Sequence, residues 1–90
     1  MNTVTVLKSL ADETRLSVVR ELAQRGYEVA SREILADCSL ALNLSQPTMS
    51  HHFSLLVRAG VLCERKAGTE KFYRLDRDLL LSHGIDPSKL

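Results

Sequence analysis

Tryptophan is absent from this 90-residue chain, and only Tyr27, Phe53, Phe72 and Tyr73 are aromatic. The core must therefore be aliphatic, built from Leu, Val and Ile. Cysteine is scarce: Cys38 and Cys63 are too few for a disulfide scaffold and form no Cys-x-x-Cys pair. No apolar run approaches the roughly 18 residues that a membrane span needs. The start, Met1-Asn2-Thr3-Val4-Thr5, has neither the basic nor the apolar stretch of a secretion signal. A reducing, cytoplasmic setting with no membrane partner is the expectation. Ninety residues leave room for one domain, residues 1–90, and for no second core. A chain of this size buries roughly 60–68% of the surface it exposes when unfolded, enough to fold without staples.

Carboxylates are missing from one stretch altogether, since none lies between Cys38 and Cys63. The formal net charge is only +1, but residues 45–75 carry five cations (Arg58, Arg65, Lys66, Lys71, Arg74) against Glu64 and Glu70. The segments on either side are each slightly acidic. An acid-free run followed by a cluster of cations suits a surface that approaches a polyanion, although in a short chain chance clustering explains it as well.

What is present reads as short helices and one hairpin. Val4, Leu7 and Leu10 recur at helical spacing. Asp12 is placed to cap a second helix, whose apolar stripe is Leu16, Val19, Leu22 and Ala23 and whose end is Gly26. Ser31 caps a third piece that buries Ile34 and Leu35, and Leu40, Leu42 and Leu44 crowd a tight turn at Asn43. The best-marked helix follows. Ser45 is its N-cap, Pro47 sits in a first turn where its missing amide costs nothing, and Met49, Phe53, Leu56 and Val57 share one face. Beyond Gly60 the period falls to two. Residues 61–66 and 70–75 then flank Ala67-Gly68-Thr69, a β-hairpin with glycine at the bend. Asp76 caps a last short helix over Leu79, Leu80 and Leu81, which ends before Gly84.

Helix, tight turn, Ser-capped helix and hairpin, in that order, predict a mostly α fold with a β-hairpin wing: a winged helix-turn-helix. An α-helix fits the major groove of B-DNA and carries side chains to the base edges there. The face opposite Met49 and Phe53 holds Gln46, Thr48, Ser50, His51 and Ser54, short and polar with no acid to repel DNA. Gln pairs with adenine in two bonds, and Ser and Thr suit base edges or phosphates.

The segments LADETRLSVVREL and LSQPTMSHHFSLLVRAGVLCERKAGTEKFYRL resemble the ArsR/SmtB type of bacterial winged-helix repressor from about Leu10 to Leu75. The resemblance implies a homodimeric repressor of a double-stranded DNA operator, released by an inducer. It assigns Gln46, Thr48, Ser50 and His51 to the groove, Ser45 and Arg58 to the backbone, and Arg65, Lys66 and Lys71 to the wing. It places the dimer contact on the terminal helices, where the apolar residues are Val4, Val6 and Leu7 at one end and Leu79, Leu80 and Leu81 at the other. Two features depart from the family pattern. The paired cysteines of the metal-sensing branch are replaced by Ile34 and Ala36, so no metal and no cofactor is expected, and the release signal is a non-metal or unknown one, an unidentified small molecule among the candidates. The tail after Leu75 is short for a dimerisation helix.

Other residues have plainer readings. His51 and His52 are adjacent, so on a helix they point about 100° apart and cannot share one ion; His52 is expected to pack inside. Cys38 and Cys63 read as unreactive thiols, and Arg15 and Arg20 as solvated partners of nearby acids. No nucleophile, base and acid come together, so the chain is not expected to be an enzyme. A winged-helix protein-interaction module without DNA binding is the alternative; it would call for an acidic or apolar recognition face.

Overall fold

The computed structural model describes residues 2–37 and 44–90. The order is α1 (Thr3–Leu10), α2 (Glu13–Arg25), β1 (Val29–Ala30), α3 (Ser31–Asp37), α4 (Gln46–Arg58), β2 (Leu62–Ala67), β3 (Glu70–Leu75) and α5 (Arg77–Ser82), closed by a 3-10 turn at Pro87–Lys89. Four helices start on a side-chain cap. Asn2, Asp12, Ser45 and Asp76 accept from the amides of Thr5, Arg15, Thr48 and Leu79 at 2.8, 3.0, 3.3 and 3.1 Å. Each satisfies a donor that the helix itself leaves without a partner. At the other end of α2, Gly26 takes φ 71°, the left-handed geometry that only glycine adopts without strain. Cys38, Leu40, Leu42 and Asn43, including the expected tight turn, lie outside the described residues.

The three strands form one antiparallel sheet in the order β1-β3-β2. The sequence does not predict strand β1, because two residues carry no alternation. It pairs Val29 with Tyr73 and Ala30 with Phe72 and so fastens the hairpin to the helical body. In the hairpin Ala67 faces Glu70, which leaves a two-residue bend, Gly68-Thr69, one shorter than the sequence suggested. Gly68 has φ 64° and no described non-glycine residue has positive φ, so the bend has the II′ pattern with glycine first.

The core is aliphatic, as a chain with four aromatics requires. Leu22, Ile34, Met49, Leu56, Leu80, Val6, Val18, Val19, Val29 and Val61 are fully buried, and Phe53 stacks on Tyr73 with centroids 4.5 Å apart. Three expectations need correction. The inner face of α1 is Val6, Ser9 and Leu10, while Val4 and Leu7 remain exposed. Ser9 tolerates burial because its hydroxyl donates to the Val6 carbonyl at 2.7 Å. The stripe of α2 is Val18, Val19 and Leu22, with Leu16 only half-buried. Val6 and Leu80 are both 0% exposed inside this chain's own core, so neither belongs to a dimer contact; Leu79 is half-buried and packs against the core.

Candidate nucleic-acid interface

Helix α4 turns Met49, Phe53 and Leu56 inward, which fixes what faces out. Ser45, Gln46, Thr48, Ser50 and His51 are exposed along its first two turns, and Ser54 is half-buried. The hydroxyls of Ser45 and Thr48 bond each other at 2.8 Å, so the cap and its neighbour are held in one arrangement. No carboxylate lies on this face, and the amides of the first turn favour an anion. His52 points the other way, as expected. Its side chain is 14% exposed, with Nδ1 3.1 Å from Arg15 Nη1 and 3.8 Å from Asp12 Oδ2.

Arg15 and Arg20 are not solvated partners of acids. The Arg15 guanidinium donates to the Ser9 and Lys8 carbonyls at 2.7 and 3.4 Å, closing the open end of α1 onto α2 and α4. Arg20 Nε donates to the Leu90 carbonyl at 2.7 Å. The carbonyls that end a helix carry partial negative charge, so they compete well with side-chain carboxylates for a guanidinium.

The cations of the wing differ in availability. Lys66, near the tip, is exposed and has no partner among the described residues. Arg65 lies over the Phe72 ring at 4.6 Å and grips Glu28 with Nε and Nη2 at 2.7–3.2 Å. These bonds hold the Glu28 carboxyl below the usual carboxylate range and raise the guanidinium's own pKa. Lys71 Nζ is 3.4 Å from Glu64 Oε1, which also accepts from the Tyr73 hydroxyl at 3.1 Å. Burial first, and then Glu64, push the Tyr73 hydroxyl well above the ordinary tyrosine range, so it stays a donor. The sequence does not mark Glu64 as a site residue. Its strand position gives no sign that it lies in the cleft of about 160 Å³ between α4 and the wing, lined also by Ser50, Ser54, Val57, Arg58, Lys71 and Tyr73.

Arg58 is exposed at the far end of α4, about 18 Å along the axis from Gln46. Ile34 is buried and Ala36 exposed, and neither carries a donor atom where the metal-sensing branch has thiols. Cys63 is a half-buried free thiol. Among the described residues no three His, Cys, Asp or Glu side chains gather as a metal would require, and no helix is long and apolar enough to cross a membrane.

A helical body with a basic hairpin beside a polar, Ser-capped helix defines a winged helix-turn-helix protein. The helix-turn-helix domain family matches residues 10–65. The arsenical resistance operon repressor of Escherichia coli is 40% identical over 72 residues, which are 80% of this chain and 57% of that protein. An HTH-type transcriptional regulator of Methanocaldococcus jannaschii is 36% identical over 73 residues, 81% of this chain and 76% of the relative. The solved structure of HlyU from Vibrio cholerae superposes with a TM-score of 0.70 at 29% identity, covering 90% of this chain and 83% of that one. The chain belongs to the ArsR/SmtB-type winged helix-turn-helix transcriptional regulators. It spans a little over half the length of the E. coli relative.

Proposed function

We propose that this chain is a sequence-specific double-stranded DNA-binding repressor, cytoplasmic and not an enzyme, which acts as a homodimer and is released by a non-metal signal. One observation carries the reading: the exposed first turns of α4 are polar and free of carboxylate, next to a wing whose Lys66 is unpaired among the described residues. Gln46, Thr48, Ser50, His51 and Ser54 face the base edges. Ser45 and Arg58 serve the DNA backbone. Lys66 supplies the wing's phosphate contact directly, whereas Lys71 and Arg65 do so only by exchanging a carboxylate for a phosphate. Helix α4 would enter the major groove N-terminus first, with the wing along the flanking backbone.

Support for an operator-binding role comes from family membership and from relatives described as repressors. The test is selection from a random duplex pool, followed by fluorescence anisotropy on the enriched sequence and on a scrambled one. An enriched, two-fold symmetric sequence bound at least about a thousandfold more tightly than the scramble is the expected result. Equal, salt-sensitive binding to both would reduce the protein to a non-specific DNA binder. No duplex binding at low salt would favour a protein-interaction module.

A further inference from the structure

A groove lies between α1 and the C-terminal half of α4, and it shares only Arg58 with the cleft between α4 and the wing. Leu55 and Ala59 form its apolar floor, Lys8 and Arg58 stand at its rim, and Arg15 closes one end. Its volume is about 280 Å³, just below the ~300 Å³ at which pockets for drug-sized ligands begin. No carboxylate lines it. Neither Lys8 nor Arg58 has an ion-pair partner among the described residues, and Arg15 spends its donors on carbonyls and on His52. A small apolar floor under unpaired cations is complementary to one kind of molecule. A carboxylate meets Lys8 and Arg58, while a compact hydrocarbon body covers Leu55 and Ala59.

We propose that this groove binds a small organic carboxylate with an apolar body, and that its occupancy reaches the DNA-reading helix through the contact between Arg15 and His52. The coupling half of the proposal rests on the DNA-binding reading above; the binding half does not. The path is short. Arg15 bridges the carbonyls that end α1 to His52, and His52 is on α4 next to the exposed His51. An anion in the groove competes for the Arg15 guanidinium. If it draws Nη1 off His52, it removes a fixed contact between α2 and α4 and loosens the pose of the recognition helix. The ligand then favours the form that binds DNA less well, and by linkage DNA weakens the ligand to the same extent. Arg58 lines both this groove and the cleft between α4 and the wing, so ligand and DNA backbone also share that one cation.

Benzoate is a suitable probe, read by amide chemical shifts of the intact protein. The expected result is saturable binding with a Kd on the order of 1 mM, the scale of a fragment-sized ligand. Shifts should centre on Lys8, Ser9, Leu55, Arg58 and Ala59. Benzamide, uncharged and of the same shape, should bind at least about tenfold more weakly, as should Lys8→Glu with benzoate. Lys8 is exposed, so that substitution leaves the fold intact. Shifts scattered elsewhere, equal binding of benzamide, or an unaffected Lys8→Glu variant would each overturn the site.

In the coupling arm, saturating benzoate should weaken operator binding at least about fivefold relative to acetate at the same ionic strength, in the wild type but not in Lys8→Glu. Groove binding with unchanged operator affinity would overturn the coupling. A Gln46→Ala variant that loses the operator yet keeps benzoate separates the two claims. If the wild type binds no duplex, the repressor reading fails, and the shifts still decide the groove.

Discussion

Gln46 and His51 can be exchanged with little risk to the fold, because both are exposed and neither supports the core. Gln46→Ala and His51→Ala should each lose about 1–3 kcal/mol on the operator and much less on random duplex, measured by anisotropy. Equal losses on both DNAs would move these residues from base reading to backbone contact. Glu64 has the opposite sign. Its carboxylate occupies Lys71 inside a face otherwise suited to phosphate. Glu64→Gln should therefore tighten binding to every duplex and steepen the salt dependence by up to about one unit, at the expense of discrimination. Asp12 acts on stability instead. The Arg15 amide it accepts holds its carboxyl below the ordinary value of 3.8, against a smaller opposing effect of burial. A depressed carboxylate stabilises the fold above its unfolded pKa, and that stability is lost as pH falls through the folded value. Asp12→Ala should cost about 0.5–2 kcal/mol at neutral pH in urea unfolding. As pH falls through the folded value the gap between the two proteins should close, and a gap that did not narrow on acidification would rule out the cap as its origin.

At the scale of the elements, legibility followed the strength of the local signal. Helix α4 was marked by Ser45, Pro47 and a four-residue apolar face, and the structure begins it at Gln46 with Ser45 as cap. The hairpin was marked by alternation and Gly68, and the caps at Asp12 and Asp76 by side chains that can accept amides. Elsewhere the signal was ambiguous. In α1 both Val4-Leu7 and Val6-Leu10 have helical spacing, and only the packing of α1 on α2 and α4 decides which pair turns in. Strand β1 is defined by partners some forty residues away, which no local pattern reveals. Of the candidate site, the polar face of α4 was readable, whereas the pairing of Arg65 with Glu28 and of Lys71 with Glu64 was not, since cross-element ion pairs leave no local trace. The wing tip gives this scale its prediction. Lys66→Ala should weaken all duplex binding alike and lower the salt slope by about one, while Arg65→Ala changes the slope less because Glu28 already occupies its charge. A larger effect from Arg65→Ala would mean that the Glu28 pair opens on DNA.

For the whole molecule, the question is whether one chain can read an operator alone. A single α4 offers four or five short polar side chains, too few bidentate contacts to discriminate well among sites. Two copies related by a two-fold axis, with their α4 helices about one DNA turn or roughly 34 Å apart, read two half-sites at once. The structure leaves an apolar surface for such a joint at the chain's two ends. Val4, Leu7 and Leu81 are 61%, 50% and 56% exposed. Thr3 Oγ1 lies 2.8 Å from His83 Nδ1, which sets the start of α1 against the end of α5, within a turn of Val4 and Leu81. Large exposed aliphatic side chains drawn together from both ends are expected of an interface rather than of a solvated face. Leu7→Glu and Leu81→Glu should each shift sedimentation at micromolar concentration toward the monomer and weaken operator binding, with helical circular dichroism retained. Leu80→Glu is the contrasting control. Its side chain is wholly buried in the core, so a carboxylate there should unfold the chain rather than merely separate two folded ones. A wild-type protein that sediments as a monomer yet protects both halves of a symmetric site with full affinity would refute the dimer, and with it the assignment of Val4, Leu7 and Leu81.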